Sequence, residues 1–205
     1  MNLDDLRLRL SGASAYAPPE AIAVPARSDD ALDLIDRPLI AAAVLVPIVH
    51  GPAPGILLTK RTSHLKAHAG QVAFPGGRIE AGDASIEAAA LREAQEEIGL
   101  PPCQVELAGR LPDYVTGTGF RISPVLALLP TGLALTANPD EVESIFILPL
   151  RVLLDPAAPE RRRMEFRGRM REFWVWPHEE HYIWGATASI LVHLAGILHA
   201  QELAA

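Results

Sequence analysis

Cysteine is nearly missing: the 205 residues contain one, Cys103, which excludes an intramolecular disulfide framework and a cysteine-rich metal site. Long apolar runs are missing too. The longest, Leu39–Val49, is interrupted by Pro47 and falls well short of the roughly 20 apolar residues that cross a bilayer. The opening Met-Asn-Leu-Asp-Asp has no basic region and no apolar stretch, so no secretory signal is read and a cytoplasmic location is expected. Positive charge is in deficit, with 18 Lys and Arg against 25 Asp and Glu, a net charge of −7. That balance excludes a surface built to hold nucleic acid by neutralising phosphates. It does not exclude a small phosphorylated substrate, because a dication held by acidic side chains reverses the sign that matters locally. What is present is ordinary globular composition, 49% hydrophobic and 21% charged, long enough for one good-sized core.

The pattern along the chain predicts one α+β domain, with strands and helices mixed and not in strict alternation. Residues 1–38 read as a helical extension packed on a domain of residues 39–205, with a break at Pro18, Pro19 and Pro25 and a capped short helix from Ser28 through Ile35. Strands are expected at Ile40–Val49 and Gly55–Lys60, joined by a Gly/Pro-rich turn. Arg61–Gly77 has little periodicity and ends in a tight loop, Phe74-Pro75-Gly76-Gly77. A helix follows from about Ser85 to Ile98, stopped by Gly99 and Pro101-Pro102. Further strands are expected at Val105–Leu111, Arg121–Leu129, Ser144–Leu148, Met164–Phe166, Arg171–Trp176 and Tyr182–Trp184, with a short helix after Pro149 and a closing one at Ala186–Leu203.

The chemistry-bearing segment is Arg92-Glu93-Ala94-Gln95-Glu96-Glu97-Ile98-Gly99-Leu100. On a helix Glu93, Glu96 and Glu97 stand at i, i+3 and i+4, so they share one face. Ala90, Leu91, Ala94 and Ile98 form the neighbouring apolar stripe, and Ala89 is expected among the carboxylates, small enough to leave room for a ligand. Without a cation the like charges cost about 0.2–0.5 kcal/mol per pair. With a hard dication they become oxygen ligands, and Mg²⁺ completes its octahedron with water and substrate phosphate. Upstream, Gly76-Gly77 lets the backbone approach a ligand closely, and a Gly76 carbonyl can join a metal shell.

Gly77 to Leu100 resembles the Nudix box, G-x5-E-x7-R-E-U-x-E-E-x-G-U. Asp83 stands where that pattern has Glu, and eight residues instead of seven separate it from Arg92. The preceding Leu57-Leu58-Thr59-Lys60-Arg61-Thr62-Ser63-His64-Leu65-Lys66-Ala67-His68-Ala69-Gly70-Gln71-Val72-Ala73-Phe74-Pro75-Gly76-Gly77 is similar to the signature of the Nudix coenzyme A diphosphatases, LLTxR[SA]xxxRxxxGxxxFPGG. Thr62 replaces its Ser or Ala, and Lys66 its Arg. The resemblance extends over about Ala41–Ala195.

The resemblance implies a Nudix fold, a mixed sheet between helices (α/β/α), and Mg²⁺- or Mn²⁺-dependent hydrolysis of coenzyme A or its derivatives to 3′,5′-ADP and 4′-phosphopantetheine. It implies Glu93, Glu96, Glu97 and Gly76 as metal-binding residues and Arg92 as the group that orients the carboxylates. Glu141, ahead of a strand, is the first choice of general base, followed by Asp83 and Glu97. Arg61, Lys66 and Arg78 are the expected substrate contacts, Lys66 as a point charge where arginine would grip a phosphate bidentately. The rivals are a Nudix pyrophosphatase for ADP-ribose or other nucleoside diphosphate derivatives, and a catalytically silent Nudix ligand-sensing module. Expected partners are a small diphosphate substrate and a second copy in a homodimer, with no nucleic acid and no membrane.

Overall fold

The computed structural model describes residues 2–11, 38–65, 67–166, 168–176 and 178–200. The proline break and the helix expected at Ser28–Ile35 lie outside the described residues. Elements occur in the order α1 (Leu3–Leu10), β1 (Ile40–His50), β2 (Gly55–Arg61), β3 (Val72–Ala73), β4 (Gly76–Arg78), α2 (Ile86–Ile98), β5 (Glu106–Arg110), β6 (Tyr114–Val115), β7 (Phe120–Pro130), β8 (Val142–Pro149), α3 (Leu150–Leu153), β9 (Glu160–Phe166), β10 (Arg169–Trp176), β11 (Ile183–Trp184) and α4 (Gly185–Ala200).

Among the described residues the main sheet has eight strands, with β3-β2-β1-β7-β5 as its path. β4 joins β1, β6 joins β7 and β8 joins β2. The long β1–β7 pair is parallel and the other pairings are antiparallel. Side chains of a strand alternate between faces, so a strand covered on both sides reads as an unbroken apolar run. β1 is such a strand. Its Ala43, Leu45 and Val49 join Leu57, Val125, Ala127 and Leu129 under α2, whose Ala89, Ala90, Ala94 and Ile98 complete that core. Its Val46 and Ile48 face the other way and belong to a second core, with Ile56, Leu58, Leu126 and Leu128 of the sheet and Leu191, Leu194 and Leu198 of α4. Each such fully buried side chain contributes about 1.5–3 kcal/mol. Pro47, which has no amide hydrogen to give a ladder, falls between the stretch of β1 that β4 partners, Ala42–Val44, and the stretch that β2 partners, Ile48–Val49.

The helix ends are written locally. Ser85 Oγ accepts from the Ala88 amide at 3.1 Å and starts α2. Gly99 ends it in the left-handed region at φ 65°, and the Leu100 amide reaches back to the Ala94 carbonyl. At the amino terminus the Asn2 side chain and Asp5 cap each other reciprocally. α1 buries Leu6 and Leu10 against the α4 side of the core, and Arg7 grips Glu106 of β5 with two 2.7 Å bonds. β9, β10 and β11 form a second, antiparallel sheet. No helix among the described residues is long and apolar enough to cross a membrane.

Two local expectations need correction. Gly76 and Gly77 are not a loop: they begin a short strand paired with β1, Gly77 opposite Ala43 and Gly76 opposite Val44. Ala89 is fully buried in the core between α2 and the sheet, so it lines no ligand space.

Candidate active site

α2 presents its acidic face beside β4, and Arg92 organises it. The guanidinium donates to both carboxylate oxygens of Asp83 at 2.9 and 3.1 Å, to Glu93 Oε1 at 3.1 Å, to Glu96 Oε2 at 3.0 Å and to the Arg78 carbonyl at 3.1 Å. A planar, always-charged fork can hold several acceptors at fixed angles, which a lysine cannot. Asp83 therefore anchors the arginine. Its Oδ2 also accepts from the Glu80 amide at 2.7 Å, closing the turn before the helix. Hydrogen bonding from Arg92, and then from that amide, holds the Asp83 carboxyl below its usual range, which disfavours it as a proton acceptor.

The two glycines set how closely the strand and helix approach. The Gly76 amide donates to Glu97 Oε2 at 3.2 Å. A β-carbon on Gly76 would stand 2.6 Å from Val44 Cα, and one on Gly77 would stand 2.6 Å from Glu93 Oε2. Any side chain at Gly77 would displace the carboxylate lying over it. Upstream, Phe74 is buried and the Pro75 carbonyl accepts from the Leu45 amide at 2.8 Å, which fixes the entry to β4.

Burial sorts the helix carboxylates. Glu97 is only 2% exposed. That burial pushes its carboxyl up to about 7, against the pull of the Gly76 amide and Arg61, while nearby Glu141 and Glu93 add to the rise. Burial also raises Glu93, opposed by Arg92 and reinforced by Glu96 and Glu141. Glu96 stands at the outer rim with its side chain 55% exposed. Glu93, Glu97 and Glu141 thus form a mutually repelling, partly desolvated acidic set whose chemistry suits a hard dication. Among the described residues no three His, Cys, Asp or Glu side chains converge as a finished metal cage. Arg92 draws Glu93 and Glu96 toward itself, and Glu97 turns to Gly76 and Arg61.

The remaining sequence candidates fall around this set. Arg61 Nη1 lies 3.4 Å from Glu97 Oε1. A bulge in the β2–β8 ladder between Lys60 and Arg61 sets the register there, and Glu143, the unpaired residue opposite it, turns to Lys60 Nζ at 2.6 Å. Arg78 is exposed, with its guanidinium 5.8 Å from the centre of the Phe120 ring. Lys66 lies outside the described residues. Glu141 sits in the turn before β8, within electrostatic reach of both Glu93 and Glu97. Sequence reasoning did not single out Asn138, although it ties this turn to α2: its amide donates to the Glu97 carbonyl at 2.8 Å and its carbonyl accepts from the Glu141 amide at 3.0 Å. An Asn-Pro pair marks a turn in sequence, but the partner across the fold is invisible there.

The chain is a hydrolase of phosphorus-containing acid anhydrides, carried on a mixed sheet between helices. A family model described as the NUDIX domain matches residues 39–167, and the chain belongs to the Nudix family, whose hydrolases generally use divalent cations. It is 47% identical over 154 residues to proteins of Salmonella paratyphi B and Salmonella newport, each named "Uncharacterized Nudix hydrolase NudL", covering 75% of this chain and 80% of theirs. Among solved structures it is similar to a Nudix hydrolase from M. smegmatis, RenU, at 23% identity and TM-score 0.47, covering 57% of this chain and 74% of that one. It is also similar to DR0079 from Deinococcus radiodurans at 14% identity and TM-score 0.49, covering 74% of this chain and 80% of that one.

Proposed function

We propose that this enzyme hydrolyses the diphosphate bond of coenzyme A or its derivatives in the cytoplasm, giving 3′,5′-ADP and 4′-phosphopantetheine, with Mg²⁺ or Mn²⁺ as cofactor. The supporting observation is the path of the segment that resembles the coenzyme A diphosphatase signature. Leu57–Gly77 runs through β2, β3 and into β4, and it meets the acidic set twice: Arg61 at Glu97, then Gly76 and Gly77 at Glu97 and Glu93.

In this reading Glu93, Glu96 and Glu97, with the Gly76 carbonyl, would hold the ion, which would supply Lewis acidity and neutralise developing phosphoryl charge. Glu141 takes the proton of the attacking water. The water oxygen bonds to one phosphorus, the bridging P–O bond breaks, and the bridging oxygen leaves with the other phosphate. Arg61, Arg78 and Lys66 neutralise the phosphates, and Arg92 keeps the carboxylates in place. Asp83 acts through Arg92.

A substrate panel with mass identification of products, run with Mg²⁺ or Mn²⁺ and again with chelator, tests the reading. Coenzyme A is expected to turn over fastest and to yield the two named products only when metal is present. Turnover of ADP-ribose as fast as that of coenzyme A would overturn the substrate assignment.

A further inference from the structure

The turn that carries Glu141 is held from two sides. On the helix side, the Asn138 amide donates to the Glu97 carbonyl at 2.8 Å and the Thr136 amide to the Ile98 carbonyl at 3.0 Å. The Asn138 side chain accepts from the Asp140 amide at 3.1 Å, and its carbonyl accepts from the Glu141 amide, so the turn is closed on itself. On the opposite side lie Thr62 and His64, just past the end of β2. The Thr62 amide donates to the Glu141 carbonyl at 3.0 Å. The Thr62 hydroxyl donates to the Asp140 carbonyl at 3.4 Å, and His64 Nε2 lies 3.2 Å from the same oxygen. A carbonyl only accepts, so this contact requires the proton on Nε2.

These contacts follow from the bulge. Because Arg61 pairs with Val142 after the register shift, Thr62 comes opposite Glu141 and continues the ladder one step beyond the strand. A one-residue slip would place Glu141 opposite a different residue and reverse the face its side chain takes. Thr62 itself is buried, so its hydroxyl is bound to its partners and not to solvent.

Resting on the reading of Glu141 as the base, we infer that Thr62 and His64 are positioning residues: they fix the Asp140–Glu141 backbone and so set where the Glu141 side chain stands beside α2. Among the described residues, neither hydrogen-bonds a carboxylate of α2. Their removal loosens the placement of the base, and small misplacements of a reacting group cost large factors in rate.

The test is a mutational cycle measured on the full chain with Mn²⁺. Thr62→Val and His64→Ala are each expected to lower kcat about 3- to 10-fold, and together about 10- to 100-fold. KM and the Mn²⁺ dissociation constant stay within about twofold, and Thr62→Ser restores the rate. In a Glu141→Gln background, already slowed by orders of magnitude, the same two changes have no further effect. If the pair slows Glu141→Gln as much as it slows the native enzyme, the positioning role is wrong while the base assignment stands. If Glu141→Gln alone keeps near-native turnover, the base assignment falls and the positioning role falls with it. A pair that weakens Mn²⁺ binding in step with kcat is acting through the metal ligands, which also overturns the proposal.

Discussion

Replacing Glu97, the most buried carboxylate among the described residues, should make the metal-free protein sturdier while destroying its activity. Glu97 is buried, and its carboxyl is raised from an ordinary 4.5 to about 7. The folded chain therefore keeps this proton where the unfolded chain has lost it. Its contribution to stability is full below about pH 4.5 and is lost as pH rises through about 7. At 1.36 kcal/mol per pKa unit the loss amounts to about 3 kcal/mol at pH 8. Glu97→Gln removes the ionisation but keeps an oxygen for the Gly76 amide, so the decline should vanish. In chelator at pH 8 the variant should melt on the order of 6–12 °C above the native enzyme, and at pH 5 the two should nearly coincide. Mg²⁺ should reverse the ranking by stabilising the native carboxylate set more than the variant, while turnover of the variant falls by orders of magnitude. The assay is thermal denaturation followed by circular dichroism from pH 5 to 8, with and without metal. A variant that melts at or below the native protein at pH 8 in chelator would refute the electrostatic account of Glu97.

Arg92→Lys keeps the charge but loses the fork that holds Asp83, Glu93 and Glu96 together. It should weaken Mn²⁺ binding or turnover by about 10- to 100-fold, read by calorimetry and steady-state rates. Asp83→Asn retains the shape of the Arg92 anchor and should keep turnover within about tenfold of native, with no new limb in the pH–rate profile. Loss on the scale of Glu141→Gln would restore Asp83 as the base.

The sequence was most informative where one element carries its own instructions. Ser85 and Gly99 mark both ends of α2, and the run Ile40–His50 announces a strand buried on both faces. The carboxylate spacing likewise placed Glu93 and Glu97 on one helix face. Three of the shortest elements were not legible: β3, β4 and β6 are too short to show a period and exist because a longer strand pairs with them, whereas the strand expected at Tyr182–Trp184 overlaps β11. Ala89 shows a second limit. Helical spacing groups it with Glu93, but only the sheet decides that this point on the face is sealed core. The braces on Glu141 are a third, since the β2–β8 register and its bulge join segments far apart in sequence.

The two-sided burial of β1 has a practical bearing on where the protein may be cut. The family match ends at residue 167, yet α4, which begins at Gly185, supplies one wall of the larger core. A fragment trimmed to the matched region would leave Val46, Ile48, Leu58, Leu126 and Leu128 facing water. At about 1.5–3 kcal/mol each, that loss rivals the entire 5–15 kcal/mol by which a domain stays folded. The catalytic helix and its glycines would all be retained, on a sheet unable to stay folded. The smallest piece able to hydrolyse anything is therefore longer than the piece that carries the recognisable chemistry.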